Sequence, residues 1–229
     1  MSLLAILALG FFLGMRHATD ADHVMAVTTI VSRERSARSA LWVGALWGVG
    51  HTATILVVGG LIVVFGLVIP PRVGLSMELS VAVMLVVLGA MNLTGAMRRI
   101  DEAAHGAKHH SADEPAKARG LRLRPLIVGV VHGLAGSAAV ALLVLTTIRD
   151  AAWALCYLAI FGGGTVLGMM LLTSAMAVPV AAASHRFGSF ERVLSRATGI
   201  ASIAFGLFLA YQIGFVDGLF LGDPQWSPK

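Results

Sequence analysis

Long stretches of predominantly apolar residues, separated by short polar segments, make up most of the chain. An α-helix needs about 20 such residues in a row to cross a lipid bilayer. Six stretches reach that length, at residues 3–31, 40–69, 76–97, 124–148, 151–181 and 196–221. The pattern therefore predicts an all-α integral membrane protein with about six transmembrane helices.

The composition supports this class. Hydrophobic residues make up 57% of the 229 residues and charged residues 13%, whereas soluble domains average about 45–50% and about 25%. The net charge of +5 comes from basic residues in short loops, which is typical of membrane proteins rather than of nucleic-acid-binding proteins. The single cysteine, Cys156, excludes an internal disulfide and a multi-cysteine metal site. We therefore expect the lipid bilayer as a partner and no nucleic acid.

The basic residues also predict an orientation. Most of the 17 Lys and Arg residues follow the first, third and fifth apolar stretches, and cytoplasmic loops are the ones that carry such an excess. We therefore expect a multi-pass protein of the cytoplasmic (inner) membrane with both termini outside the cytoplasm. Residues 2–15 lack the basic n-region of a cleavable signal peptide, so we interpret them as part of the first span.

Short segments of the first half recur in the second half in the same order. The segments that match are 14–18 with 129–133, 45–50 with 159–164, and 87–89 with 204–206, at offsets of 115, 114 and 117 residues. Since each half has three spans, an odd number, we expect the two halves to be inverted repeats, as in many transporters. The predicted organisation is a first three-helix repeat at 1–97, a cytoplasmic loop containing His and Arg at 98–123, and a second three-helix repeat at 124–229.

Five titratable side chains lie within the first predicted span: Arg16, His17, Asp20, Asp22 and His23. Ionisable groups inside a membrane are costly and are usually functional. On a regular helix His17, Asp20 and His23 would share an arc of roughly 120°, and Asp22 would point away from it. Asp22 can join the two histidines only if the helix is unwound or bulged, which we expect here. The alternative is a structural network in which Asp22 pairs with Arg16.

Two further histidines lie within predicted spans. His51 is near the middle of the second span, and His132 occupies the repeat position of His17. Thr165 stands where the second half would repeat His51, so the predicted site belongs mainly to the first half. The predicted metal ligands are His17, Asp22, His23 and His51, with Asp20 and His132 as further candidates. For His132, a structural role as a bridge between helices is an equal alternative.

Imidazole suits nickel, cobalt, copper and zinc, whereas magnesium and calcium prefer oxygen ligands. Histidines with carboxylates and without thiolates therefore indicate a transition-metal dication, which we expect as a transported ion and not as a prosthetic group. The loop histidines His105, His109 and His110 resemble a metal-capture tract, but a solvated loop is the favoured interpretation.

The segment from Arg16 to His23 resembles the signature of the nickel/cobalt transporter family (NiCoT), a His followed after four residues by Asp-His. His17, Asp22 and His23 match it residue by residue, and Gly50-His51-Thr52 resembles the family's second motif. The resemblance implies a secondary permease for Ni²⁺ or Co²⁺, acting in uptake. Members commonly have eight spans, so the chain would be a short six-span member. Residues 131–138 resemble shorter nickel permease relatives associated with urease or hydrogenase maturation.

Three other functions share some of these features. A nickel or cobalt exporter would use the same ligands, and a membrane chaperone would hold nickel for a metalloenzyme-maturation partner without transporting it. An acyltransferase also uses a His and an Asp separated by four residues, but the chain lacks a following soluble catalytic domain. We therefore expect a permease rather than an enzyme, and the sequence does not contain a Walker motif for ATP hydrolysis. The protein could also act as an oligomer.

Overall fold

Every regular element in the described part of the chain is a helix. The computed structural model describes residues 3–32, 36–67, 69–96, 123–135, 148, 150–186 and 190–226. In these residues the helices are α1 (Leu3–His17), α2 (Ala21–Val31), α3 (Ala37–Phe65), α4 (Pro71–Leu93), α5 (Arg124–Leu134), α6 (Ala151–Arg186) and α7 (Phe190–Tyr211), the last continued by a π-helical turn (Gln212–Val216).

Several of these helices are long and apolar enough to cross a membrane. Four meet that condition alone, namely α3, α4, α6, and α7 with its π-helical turn. Helices α1 and α2 meet it only as a pair, which is bent by 52° and has the geometry of a broken span or of a re-entrant loop. Helix α5 is a shorter apolar helix at the start of the predicted fourth span, and residues 136–147 of that span lie outside the described residues. The chain is therefore an all-helical, multi-pass membrane protein, as predicted.

The ends of the second and third spans differ from the predicted ones because of local backbone chemistry. Ser36 caps α3, accepting a hydrogen bond from the backbone N–H of Ser39, so the helix begins before residue 40. The same helix ends at Phe65 because Gly66 adopts a left-handed conformation, with φ of 61°. The third span begins before residue 76, because Pro71 is the first residue of α4, where its missing N–H costs nothing.

Glycines allow α1 to lie directly against α6. A Cβ atom at Gly14 would collide with the carbonyl of Phe161, and one at Gly164 would collide with the carbonyl of Phe11. Small residues that bring backbones together are the usual means of packing helices in a membrane, where the lipid is as apolar as the side chains. These two glycines therefore set the distance between the helices.

The same contacts recur between α3 and α5. Gly129 faces the carbonyl of Trp47, and Gly50 faces the carbonyl of Leu126. Each of these four residues lies 114 or 115 positions from its counterpart in the α1–α6 pair, which is the offset of the predicted repeat. Between α4 and α7, Gly89 and Gly206 are likewise each placed against backbone of the other helix. These matched contacts support a two-fold relation, and the division into inverted repeats at 1–97 and 124–229 stays a prediction.

A buried asparagine joins three helices at the end of α4. The amide of Asn92 donates to the carbonyls of Thr29 on α2, at 3.3 Å, and of Ser195 on α7, at 3.0 Å. The hydroxyl of Ser195 donates in return to Asn92 Oδ1 at 2.6 Å. This polar cluster ties the helix that carries Asp22 and His23 to the α4–α7 pair.

Candidate metal centre

The helix break that we expected lies directly after His17. Helix α1 ends there, and α2 begins at Ala21 after a turn in which Asp20 has an extended conformation, with φ of −63° and ψ of 151°. The backbone N–H of Thr19 donates to the carbonyl of Arg16 at 2.8 Å, which closes the turn. Because of this break, α2 brings His23 against His17, with ring centroids 4.6 Å apart, while Asp22 on the same helix pairs with His23 and His132.

Three imidazoles from two spans form a first group, which we call the histidine triad: His17, His23 and His51. One ring nitrogen from each lies within 4.8 Å of the others. His17 Nε2 is 3.2 Å from His51 Nε2, a separation at which two ring lone pairs would repel each other unless a proton or a cation lies between them. His23 and His51 are buried, with 1% and 0% exposure.

A second group includes a carboxylate, and we call it the acidic triad: Asp22, His23 and His132. Its ligand atoms also lie within 4.8 Å of one another. Asp22 Oδ2 is 2.9 Å from His132 Nε2, and Oδ1 is 3.2 Å from His23 Nδ1. His132 is buried and comes from α5, in the second half of the chain. His23 belongs to both triads.

Three nitrogen atoms of this cluster are buried without a hydrogen-bond partner among the described residues: His23 Nε2, His51 Nδ1 and His132 Nδ1. A buried polar atom without a partner costs free energy unless something else satisfies it. Imidazole nitrogens can be satisfied by a metal ion as well as by a proton. For His51 and His132 the atom without a partner is the second ring nitrogen, not the Nε2 atom that contacts His17 or Asp22, so these rings have a further nitrogen that a proton or a metal ion could satisfy.

Asp20 and Arg16 lie at the edge of the cluster. Asp20 is half exposed and belongs to neither triad, but its Oδ2 is 2.7 Å from His17 Nδ1. A carboxylate that accepts from the second ring nitrogen fixes the tautomer and orientation of a ligating histidine. Arg16 is exposed, and the structure shows no ion pair between it and Asp22. Asp22 pairs instead with His23 and His132, and the choice between a metal site and a structural network stays a prediction.

Two aromatic rings enclose the imidazoles. Trp47 stacks on His23, with ring centroids 6.1 Å apart and planes 14° apart, and is 5.6 Å from the ring of His132. Phe161 is 5.7 Å from the ring of His17. Sequence reasoning missed both as parts of the site, although they occupy equivalent positions in the repeat and pack on the equivalent histidines.

Thr165 and the three loop histidines are in neither triad among the described residues. The hydroxyl of Thr165, at the repeat position of His51, donates to the carbonyl of Phe161 one turn earlier on α6, at 3.0 Å. His105, His109 and His110 lie outside the described residues.

Comparison with known proteins gives two relatives. The chain is 36% identical to the urease accessory protein UreH of Bacillus sp. (strain TB-90) over 220 residues, which cover 95% of this chain and 96% of that protein. It is 26% identical over 204 residues to the chloroplast protein FOR GROWTH AND FERTILITY 2 of Arabidopsis thaliana, covering 86% of this chain and 54% of that protein. No protein-family profile and no solved structure matches the chain.

Proposed function

Because the chain belongs to the family of the urease accessory protein UreH, we propose that it is a secondary permease for Ni²⁺, Co²⁺ or both, acting in uptake across the cytoplasmic membrane. His17, Asp22, His23 and His51 bind the ion, together with His132, while Asp20 orients His17. The chain is not an enzyme; its family is named for an accessory role.

The observation that carries this proposal is the burial of two metal-competent triads within apolar helices. An ion that leaves water loses its hydration shell, and only groups that replace those ligands make entry into the protein favourable. Imidazoles with one carboxylate are ligands that nickel and cobalt accept, and they do not suit magnesium or calcium. Asp22 also offsets part of the charge of a dication. These features support a transition metal as the transported ion.

The membrane potential can drive such an uptake. Moving one charge across 100 mV releases about 2.3 kcal/mol, so a dication gains roughly twice that amount when the cytoplasm is negative. The proposal places both termini outside the cytoplasm, following the distribution of basic residues. It also retains the resemblance to NiCoT proteins, on the residues of the histidine motif.

A second candidate is a non-transporting membrane chaperone that holds nickel for the maturation of a metalloenzyme. The observation that favours it is the name of the relative, which describes an accessory protein of urease. A chaperone would use the same triads and would bind nickel without carrying it across the bilayer.

Uptake of radioactive Ni²⁺ by proteoliposomes with an inside-negative potential separates these functions. We expect potential-dependent uptake by the wild type and its loss in His17→Ala. The matched control is His185→Gln, since residue 185 lies 24 positions after Phe161, which packs on His17, on the same helix, about 36 Å along it. Equal uptake by His17→Ala and the wild type would remove the central role of this imidazole. Nickel binding without uptake would favour the chaperone, and efflux of nickel from intact cells would favour an exporter.

A further inference from the structure

We propose that the two triads are successive subsites for one dication, which share His23 and which the ion occupies in turn. This inference rests on the proposed function and adds to it an internal step, from the histidine triad to the acidic triad or back.

The distances within each triad suit a bound ion. A first-row metal ion lies about 2.1 Å from its nitrogen and oxygen ligands, so neighbouring ligand atoms are about 3.0 Å apart in octahedral sites and about 3.4 Å apart in tetrahedral sites. His17 Nε2 and His51 Nε2 are 3.2 Å apart, and Asp22 Oδ2 and His132 Nε2 are 2.9 Å apart. Each triad therefore already contains one ligand pair at the spacing that a single ion requires.

The shared histidine makes the two subsites alternatives. A neutral imidazole has one nitrogen free to bind a metal, because the other carries the proton. His23 can therefore hold an ion in one triad at a time. Two dications this close would also repel each other four times as strongly as two single charges. One ion per chain is the expected occupancy.

The two subsites differ in charge and in access. Histidines bind a metal in their neutral form, so the histidine triad adds no charge to a bound ion, whereas Asp22 lowers the net charge of an ion in the acidic triad. Each triad also has a partly exposed ligand of its own, since His17 is 11% exposed and Asp22 is 28% exposed. These two residues are therefore the least buried ligands of their triads.

The test compares binding by variants that each remove one subsite. Purified protein in detergent is titrated with Co²⁺, whose visible spectrum reports its ligands, using His51→Gln, His132→Gln and His23→Gln, with His185→Gln as the control. We expect the first two variants to bind one Co²⁺ with affinity within about tenfold of the wild type and with spectra that differ from each other. His23→Gln, which removes a ligand from both triads, should lose at least about 100-fold in affinity.

A single undivided site would give another result. His51→Gln and His132→Gln would then lose as much affinity as His23→Gln, and this would overturn the proposal. Folding is checked by elution as one symmetric peak and by far-UV circular dichroism. Where His51→Gln or His132→Gln misfolds, His51→Asn or His132→Asn takes its place.

Transport of radioactive Ni²⁺ by the same variants tests whether the ion occupies the two subsites in turn. We expect both His51→Gln and His132→Gln to lose uptake while retaining bound metal, since an ion held in one subsite cannot pass through the other. Wild-type uptake by either variant would exclude its subsite from the path and overturn the proposal. A wild-type protein that binds neither Co²⁺ nor Ni²⁺ would instead refute the proposed function, and binding without flux would refute only the permease.

Discussion

Replacing Asn92 by leucine tests whether the polar cluster at the end of α4 holds the helices together. Leucine keeps a branched side chain but removes every hydrogen bond. Asn92 contacts α2 through the carbonyl of Thr29, and α7 through both the carbonyl and the hydroxyl of Ser195. The substitution therefore removes the hydrogen bonds that join α4 to α2 and to α7, while the triad residues themselves are unchanged.

The expected loss of stability follows from the number of hydrogen bonds that Asn92 makes. An amide NH₂ has two hydrogens, so Asn92 makes at most two good donated bonds besides the one that it accepts at 2.6 Å. Hydrogen bonds between helices in a membrane contribute on average about 0.6 kcal/mol each. Asn92→Leu should therefore lower the free energy of unfolding by about 2 kcal/mol. Ser202 donates a single bond to the carbonyl of Leu85, at 2.8 Å, so Ser202→Ala should cost only about 0.6 kcal/mol.

Both variants can be measured by reversible unfolding in lipid–detergent micelles with added SDS, followed by far-UV circular dichroism. The test compares the decrease in the free energy of unfolding caused by Asn92→Leu with that caused by Ser202→Ala. The ratio of the two decreases does not depend on the exact free energy of a single hydrogen bond. If Asn92→Leu is as stable as the wild type, or loses less than Ser202→Ala, the cluster does not hold the helices together. Nickel affinity of the folded Asn92→Leu protein should stay within about twofold of the wild type.

Three further predictions concern the site and its supports. Asp20→Asn should weaken Ni²⁺ binding about tenfold, because the amide orients the imidazole of the histidine triad less well than the carboxylate; unchanged affinity in calorimetric titration would contradict this. Gly164→Ala should cost about 1–3 kcal/mol of stability, since the new methyl group meets the backbone of α1. Gly163→Ala, which meets nothing within 4 Å, should be neutral or slightly stabilising in the same SDS assay. Binding of Co²⁺ should quench the fluorescence of Trp47, so that Trp47→Phe abolishes the quenching and the exposed Trp42→Phe retains it.

The sequence predicted the helical class and the position of the helix break for a physical reason. A regular helix would turn Asp22 away from His17 and His23, and the structure has a 52° bend between α1 and α2. After the bend Asp22 contacts His23 and His132, while His17 packs against His23. The same reasoning placed Asp20 on the face of the two histidines, but the bend leaves it half exposed outside both triads. Side-chain directions calculated for an ideal helix no longer apply once the helix is broken.

Contacts between residues far apart in the chain could not be predicted from the sequence. His132 was only a further candidate, because nothing local shows that α5 would bring it within 2.9 Å of Asp22. Nothing in the local sequence indicated that Asn92 would join three helices, since its partners Thr29 and Ser195 lie 63 and 103 positions away. Whether the triads bind metal stays a prediction.

The pairing of helices has a consequence for how the polypeptide must be made. The most extensive helix contacts in the described part of the chain join α3 to α6, α7 to α4, α3 to α5 and α1 to α6, and each of these pairs crosses from residues 1–97 to residues 124–229. A fragment with residues 1–97 alone would leave its glycine-lined faces against lipid. Two separately translated fragments, cut within residues 98–123, should therefore be degraded when produced singly and should reassemble when produced together.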